Sequence, residues 1–284
     1  MAPALLLLAL AAGEPARDTT FVVPEGARIA IALREGNVHV AGVDGREARV
    51  LLDGEEGGVR VAATRGGAIH IGPRARGSDA DLSLWLPRDV HLTVSGRESS
   101  ITVEGLVRGD VQANTADGDV EINGAARVNV SALDGDVRLA NTGPASVNVA
   151  DGDVWIDRVT GDVTANGIDA DIVVTNADVR TLSLTAVDGD LWYDGAVYGG
   201  GSYSFNTHDG DVTFALPEGA GASISVSTFD GELVPSFPVQ FRGGRLRAGE
   251  FTVGDGSATV TLRSFDGDIL LIRPGERTPD LELE

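Results

Sequence analysis

A three-residue unit, Asp-Gly-Asp, returns along this chain at nearly constant spacing and restricts what the chain can fold into. It stands at Asp117–Asp119, Asp134–Asp136, Asp151–Asp153, Asp188–Asp190, Asp209–Asp211 and Asp266–Asp268. Degenerate copies stand at Asp169-Ala170-Asp171 and Asp230-Gly231-Glu232. From Asp117 to Asp230 successive copies start 17, 17, 18, 19, 21 and 21 residues apart. The last step, to Asp266, is 36 residues, which predicts one repeat without the motif in between. A period near twenty marks a repeat architecture, in which each unit buries its apolar side only against its neighbours.

The flanks say what each unit is made of. Apolar pairs precede the first Asp by six and four residues, as at Val128 and Val130, Leu182 and Leu184, or Tyr203 and Phe205. Others follow it by three and five, as at Val137 and Leu139 or Val154 and Ile156. Alternation of this kind is the pattern of a half-buried strand. The inward parity is even before the motif and odd after it, so the Asp-Gly pair breaks the strand, with glycine supplying positive φ.

Two architectures satisfy that pattern. In an antiparallel β-meander or sandwich, each Asp-Gly is a two-residue hairpin turn. In a parallel β-solenoid (β-helix), each repeat is one coil and the corners stack. Self-similarity favours the solenoid, because like residues recur at one coil position as stacking demands.

The chain divides into residues 1–16, 17–100, 101–273 and 274–284. Ala4 to Ala12 reads ALLLLALAA, in which Ala9 and Ala11 offer a small-x-small cleavage site, and Ala16 offers a later one. This resembles a secretory signal peptide, although no Arg or Lys precedes the run. Residues 17–100 form an irregular β-repeat region, with alternating runs at Arg28–Leu33, Val38–Val40, Val59–Ala63, Ile69–Ile71, Asp81–Leu86 and Val90–Val94. Residues 101–273 are the regular array. Residues 274–284 form an acidic, Pro-containing tail expected to fray.

The recurring V-x-V-x-T-x-D-G-D-V-x-L is clearest at three places: Asn114-Thr115-Ala116-Asp117-Gly118-Asp119-Val120, Thr207-His208-Asp209-Gly210-Asp211-Val212 and Ser264-Phe265-Asp266-Gly267-Asp268-Ile269. It resembles the bacterial putative-adhesin domain family, whose repeats read T-x-S-G-D-[VI]. The similarity covers about residues 28 to 273. It implies an envelope-associated, non-catalytic β-repeat protein and offers no catalytic residues to carry over. The departure is Asp where that family often has Ser, which makes these corners unusually acidic.

Composition sharpens the surface chemistry. All 22 basic residues are arginine, and the net charge is -21. Between residues 101 and 240 there are 22 acidic residues against five arginines, so most of that charge lies on the array. Such a chain repels nucleic acid and anionic membranes. The absence of cysteine excludes disulfides, thiolate metal sites, cysteine nucleophiles and a lipoprotein anchor. No second apolar run follows the leader, so no transmembrane span is expected in the mature chain.

Stacked corners would bring like carboxylates within about 5 Å of one another, the spacing of neighbouring strands. Calcium suits such rows, because it accepts several oxygen ligands in irregular geometry. The candidates are Asp117, Asp119, Asp134, Asp136, Asp151, Asp153, Asp188, Asp190, Asp209 and Asp211. Asp beside Gly is also a favoured turn pair, and the motif matches neither the EF-hand nor the nine-residue β-roll repeat. The solvated turn is therefore the favoured reading, and no cofactor is expected.

Trp155, Val173 and Trp192 occupy one outward parity and form a candidate ligand surface suited to sugar faces. The competing reading covers them with a loop such as Ala196–Ser202. His39, His70, His91 and His208 lack metal-ligand spacing. No G-x-S-x-G, Walker or HExxH pattern occurs, and Gly199-Gly200-Gly201 lies between strands rather than before a helix. The expectation is an exported protein that is not an enzyme, in the periplasm, on the outer cell surface or secreted. It would act as an adhesin-like binding or scaffold module for an envelope protein or glycan. Self-association into a structural solenoid and a polysaccharide-acting β-helix are the alternatives.

Overall fold

The computed structural model describes residues 18–53, 58–64, 67–73, 80–239, 248–277 and 279; the leader and the end of the tail lie outside them. Every regular element described is a strand. The repeats are coils of a parallel β-solenoid. The strand before each corner pairs in parallel with its counterpart one coil away, as in Val128↔Ala145 and Ala145↔Val163. The strand after each corner does the same, as in Val137↔Val154 and Val154↔Ile172. Two ladders of strands, here the first and second sheets, thus run the length of the stack. The antiparallel meander is excluded.

The core lies between the two sheets and follows the parity of the sequence. Val128 and Val130 in the first sheet and Val137 and Leu139 in the second are buried with their equivalents along the stack, except that Pro235 in the terminal coil is only half-buried. Alternating neighbours such as Asn129, Ser131 and Arg138 face out. Aromatic residues concentrate near the last coils, where the Tyr193 and Phe214 rings stack with centroids 5.5 Å apart and Phe205 meets Phe214 edge-on at 5.6 Å.

The order of coils in space is not the order in sequence at either end. The coil formed by Ala258–Asp266 and Ile269–Ile272 is inserted between the coil of Ser202–Asp209 and that of Ala222–Asp230. Among the described residues of the 36-residue step between the last two corners there is no motif-less coil, contrary to the spacing argument. They hold the strand Ala248–Val253, which runs antiparallel to Ala222–Asp230 and seats Phe251 in the core. At the other end, Arg28–Ala32 and Val38–Val43 form a coil between that of Ile69–Pro73 and Asp81–Pro87 and that of His91–Ser95 and Ile101–Asp117. Further antiparallel strands, Glu47–Asp53 and Val59–Ala63, close that end. Antiparallel closure is a way to blunt the open edges that a stack of parallel strands would otherwise present.

Candidate interaction edge

Eleven corners align in space, centred on Ala80, Gly36, Ser99, Gly118, Gly135, Gly152, Ala170, Gly189, Gly210, Gly267 and Gly231. Three lie outside the eight exact and degenerate copies of the motif. Glu35-Gly36-Asn37 keeps the acidic-Gly-polar order, whereas the Ala80-Asp81 and Ser99-Ser100 corners lack glycine. At the central corners glycine is needed twice over. Gly152 has φ +118°, and a Cβ there would lie 2.6 Å from the Gly135 carbonyl oxygen of the preceding coil.

The two acidic residues of each motif do different work. The second one reaches along the stack: Oδ1 of Asp119 accepts the Asp136 N–H at 2.9 Å, and Asp136 accepts that of Asp153 at 3.0 Å. The series continues through Asp171, Asp190, Asp211 and Asp268 to Glu232, at distances of 2.6–3.1 Å. The same bond joins Asn37 to Asp81 at the opposite end, at 2.7 Å. Each carboxylate satisfies a backbone donor that a strand-breaking corner would otherwise leave unpaired. Like charges accumulate as a result. Burial pushes the Asp153 carboxyl up from its usual range; the Asp171 N–H works against that, and the Asp171 and Asp136 charges add to it.

A buried hydroxyl two residues before the motif tightens several corners. Thr115 donates to the Ser99 carbonyl, Thr207 to that of Gly189, Thr228 to that of Gly267 and Ser264 to that of Gly210, all within 2.9–3.1 Å. Ala132 and Val149 take the place in the central coils and fill it with hydrocarbon.

The first acidic residue of each motif is exposed, and its backbone stays in register from Asp117 through Asp134, Asp151, Asp169, Asp188, Asp209 and Asp266 to Asp230. No described arginine pairs with Asp134, Asp151, Asp169, Asp188, Asp209 or Asp266. Among the described residues no group of three or more His, Asp or Glu is arranged to hold a metal ion. The calcium candidates thus separate into an inner row bonded to backbone and an outer row facing solvent.

Trp155, Val173 and Trp192 do align on the outer side of the second sheet. They do not form a continuous exposed stripe. Val173 and Trp192 are buried in a second small cluster with Ala215, Leu270 and Ile272, part of which comes from the inserted last coil. The 196–202 loop follows the Trp192 strand and is held in place by its own hydrogen bonds. Its bonds run to Tyr203, Arg180 and Ser257, through the Tyr198 N–H, the Gly199 carbonyl and the Gly200 N–H respectively. Nearby, the Gly275 N–H meets the Asp194 carboxylate at 3.4 Å. Trp155 alone stays half-exposed, on an open groove lined by Glu121, Asn123, Arg138, Ala140 and Asp157.

The exposed apolar surface lies elsewhere, at the residue immediately before each motif. Leu133, Ile168, Val187, Phe265 and Phe229 are 48–69% exposed and account for five of the eight large hydrophobic side chains on the described surface. Ala116, Ala150 and His208 complete the column. At one end its rings are ordered: His208 stacks on Phe265 and Phe229 on Phe265, both with centroids 4.8 Å apart. The signal was present in the sequence as the unassigned x of T-x-D-G-D. Its continuity needed the register of the coils.

Among the described residues no helix is long and apolar enough to cross a membrane. Residues 35–271 match the model of the family described as Toastrack DUF4097. No curated protein matches the chain. Three solved structures are similar over much of their length. A putative cell adhesion protein from Clostridium sporogenes is 10% identical, with 90% of this chain and 98% of that one covered and a TM-score of 0.22. A putative adhesin from Bacteroides fragilis is 13% identical, with 90% and 96% covered and a TM-score of 0.31. A putative lipid binding protein from Parabacteroides distasonis is 15% identical, with 70% and 95% covered and a TM-score of 0.39.

Proposed function

The chain belongs to the Toastrack DUF4097 family, and from that premise we propose that it is an exported, non-enzymatic binding module of the cell envelope. The observation that carries this reading is the exposed apolar column beside the outer carboxylates. Soluble chains keep large contiguous apolar surface from water unless it meets something, and here the coil geometry repeats it in register along one edge. The solenoid supplies the rigidity, because residues such as Phe265 and Asp266 can be displayed without contributing to the inner core.

A structural rather than catalytic role for the corner is supported by its chemistry. One oxygen of each inner carboxylate is already bonded to a backbone N–H, which serves coil stacking rather than proton transfer. Antiparallel strands at both ends favour a discrete module over an end-to-end fibre.

Fractionation of producing cells, with attachment of wild-type and deletion strains to a coated surface as the second readout, tests the proposal. The expected result is protein outside the cytoplasm and weaker attachment on deletion, restored by adding purified protein. Protein confined to the cytoplasm, or unchanged attachment, refutes it.

A further inference from the structure

The outer edge carries two parallel lines of different chemistry, one apolar and one anionic, a residue apart in sequence and in step with the coils. From this we infer that the partner docked on the edge is a basic amphipathic segment of another protein, with an apolar face for the column and arginine or lysine over the carboxylates. The inference rests on the binding-module reading and names the chemistry of its partner.

Charge complementarity carries the choice. Eight exposed acidic residues recur at the coil spacing, roughly 4.8 Å per step, giving an anionic line on the order of 34 Å long. Six of them have no described arginine to neutralise them. The column lies within the range over which that line acts, about 8 Å at physiological salt. On the column's other side the first sheet presents Asn114, Ser131, Asn148, Asn166, Thr185, Asn206 and Ser227, all uncharged, and the cation Arg263 in the inserted coil, so that flank carries no negative charge. Positive charge in a partner is therefore rewarded on one flank only, which sets the orientation of an amphipathic segment. A second copy of this chain would bring another carboxylate line against the first and pay Coulomb repulsion at every coil. An anionic lipid surface is repelled for the same reason. A helix covering the line would need about 23 residues at 1.5 Å each.

The test uses the full-length purified protein and a fluorescent peptide of leucine and lysine only, arranged so that leucines share one helical face. Its control is the same composition shuffled to abolish that face. The expected result is at least about tenfold tighter binding of the patterned peptide, weakening as salt rises. That preference should disappear in Phe229→Ser/Phe265→Ser and in Leu133→Ser/Ile168→Ser. These side chains are exposed, and an unchanged circular dichroism spectrum and melt would verify that each variant folds. Asp188→Asn/Asp209→Asn should weaken both peptides while leaving the preference in place.

Equal binding of both peptides overturns the inference, because charge alone would then explain the contact. Self-association of the wild type by sedimentation, abolished by the same Ser substitutions, also overturns it by assigning the column to a second copy. Either failure leaves the fractionation and attachment results intact, so the partner class can fall without the binding role.

Discussion

Replacing Asp153 by Asn and by Ala separates the two things a ladder carboxylate does. Its Oδ1 accepts the Asp171 N–H at 3.1 Å, and it stands between the equivalent carboxylates of Asp136 and Asp171. Asn keeps an acceptor oxygen and removes the charge; Ala removes both. Two like charges roughly 5 Å apart repel by about 1 kcal/mol in water and about 3 kcal/mol at an effective dielectric near 20. Arg138, bonded to Asp136 at 2.9 Å, offsets part of that on one side. Removing the charge should therefore relieve on the order of 1–2 kcal/mol, against about 1 kcal/mol of lost charge assistance to the hydrogen bond. Asp153→Asn is expected to be neutral or more stable by up to about 1 kcal/mol at neutral pH. Asp153→Ala, which strands the Asp171 N–H, should lose about 1–3 kcal/mol. At about 2–4 °C per kcal/mol for a chain of this size, a thermal melt followed by circular dichroism resolves the pair. The pH dependence has a definite sign. The folded state holds the Asp153 proton more tightly than the unfolded chain, chiefly through burial, so the wild type gains relative stability as pH falls through the raised value. Any lead of Asp153→Asn should be largest at neutral pH and low salt and should close in acid. An Asn variant as damaged as Ala, or a lead that grows in acid, would refute the account of the ladder.

Other perturbations test the remaining contacts. Gly152→Ala should cost about 3 kcal/mol or more, from positive φ and the 2.6 Å approach to the Gly135 oxygen. Gly45→Ala, at φ +102° with nothing within 4 Å, should cost only about 1–2 kcal/mol in the same denaturation assay. Thr207→Val should lose about 1 kcal/mol, because the buried hydroxyl donates its one proton to the Gly189 carbonyl at 3.1 Å, with the Asp209 carbonyl in reach at 3.2 Å. The Arg46 guanidinium holds the Asp89 carboxyl down at about 2. The wild-type lead over Asp89→Asn should be full above the unfolded carboxylate range and vanish as pH falls toward that value. Millimolar calcium should leave the melting temperature unchanged, since the inner carboxylates already serve backbone donors; a rise of several degrees would show a bound ion.

Local chemistry makes the coil legible in the sequence alone. Alternation in Val128–Val130 and Val137–Leu139 defines which side of each strand is inside, because side chains in a strand point to opposite faces in turn. The parity switch across Asp134-Gly135 then marks a corner, and the self-similarity of successive units favours stacking over hairpins. Of the irregular region, five of the six predicted strands begin at the predicted residue and the sixth one residue later, at His91.

What the sequence could not supply was the order of the coils and the partner of each carboxylate. Both depend on contacts between residues far apart in the chain, such as the Asp268 N–H and Asp211, 57 residues distant. Spacing measures distance along the backbone, so the 36-residue gap read as a missing repeat when the last coil had in fact inserted between earlier ones. The same insertion put Leu270 and Ile272 in one buried cluster with Trp192, on an outer face that parity alone had left open. Parity says only that a side chain leaves the core. Whether it meets water, as Phe229 and Phe265 do, depends on which other segment the tertiary fold lays beside it.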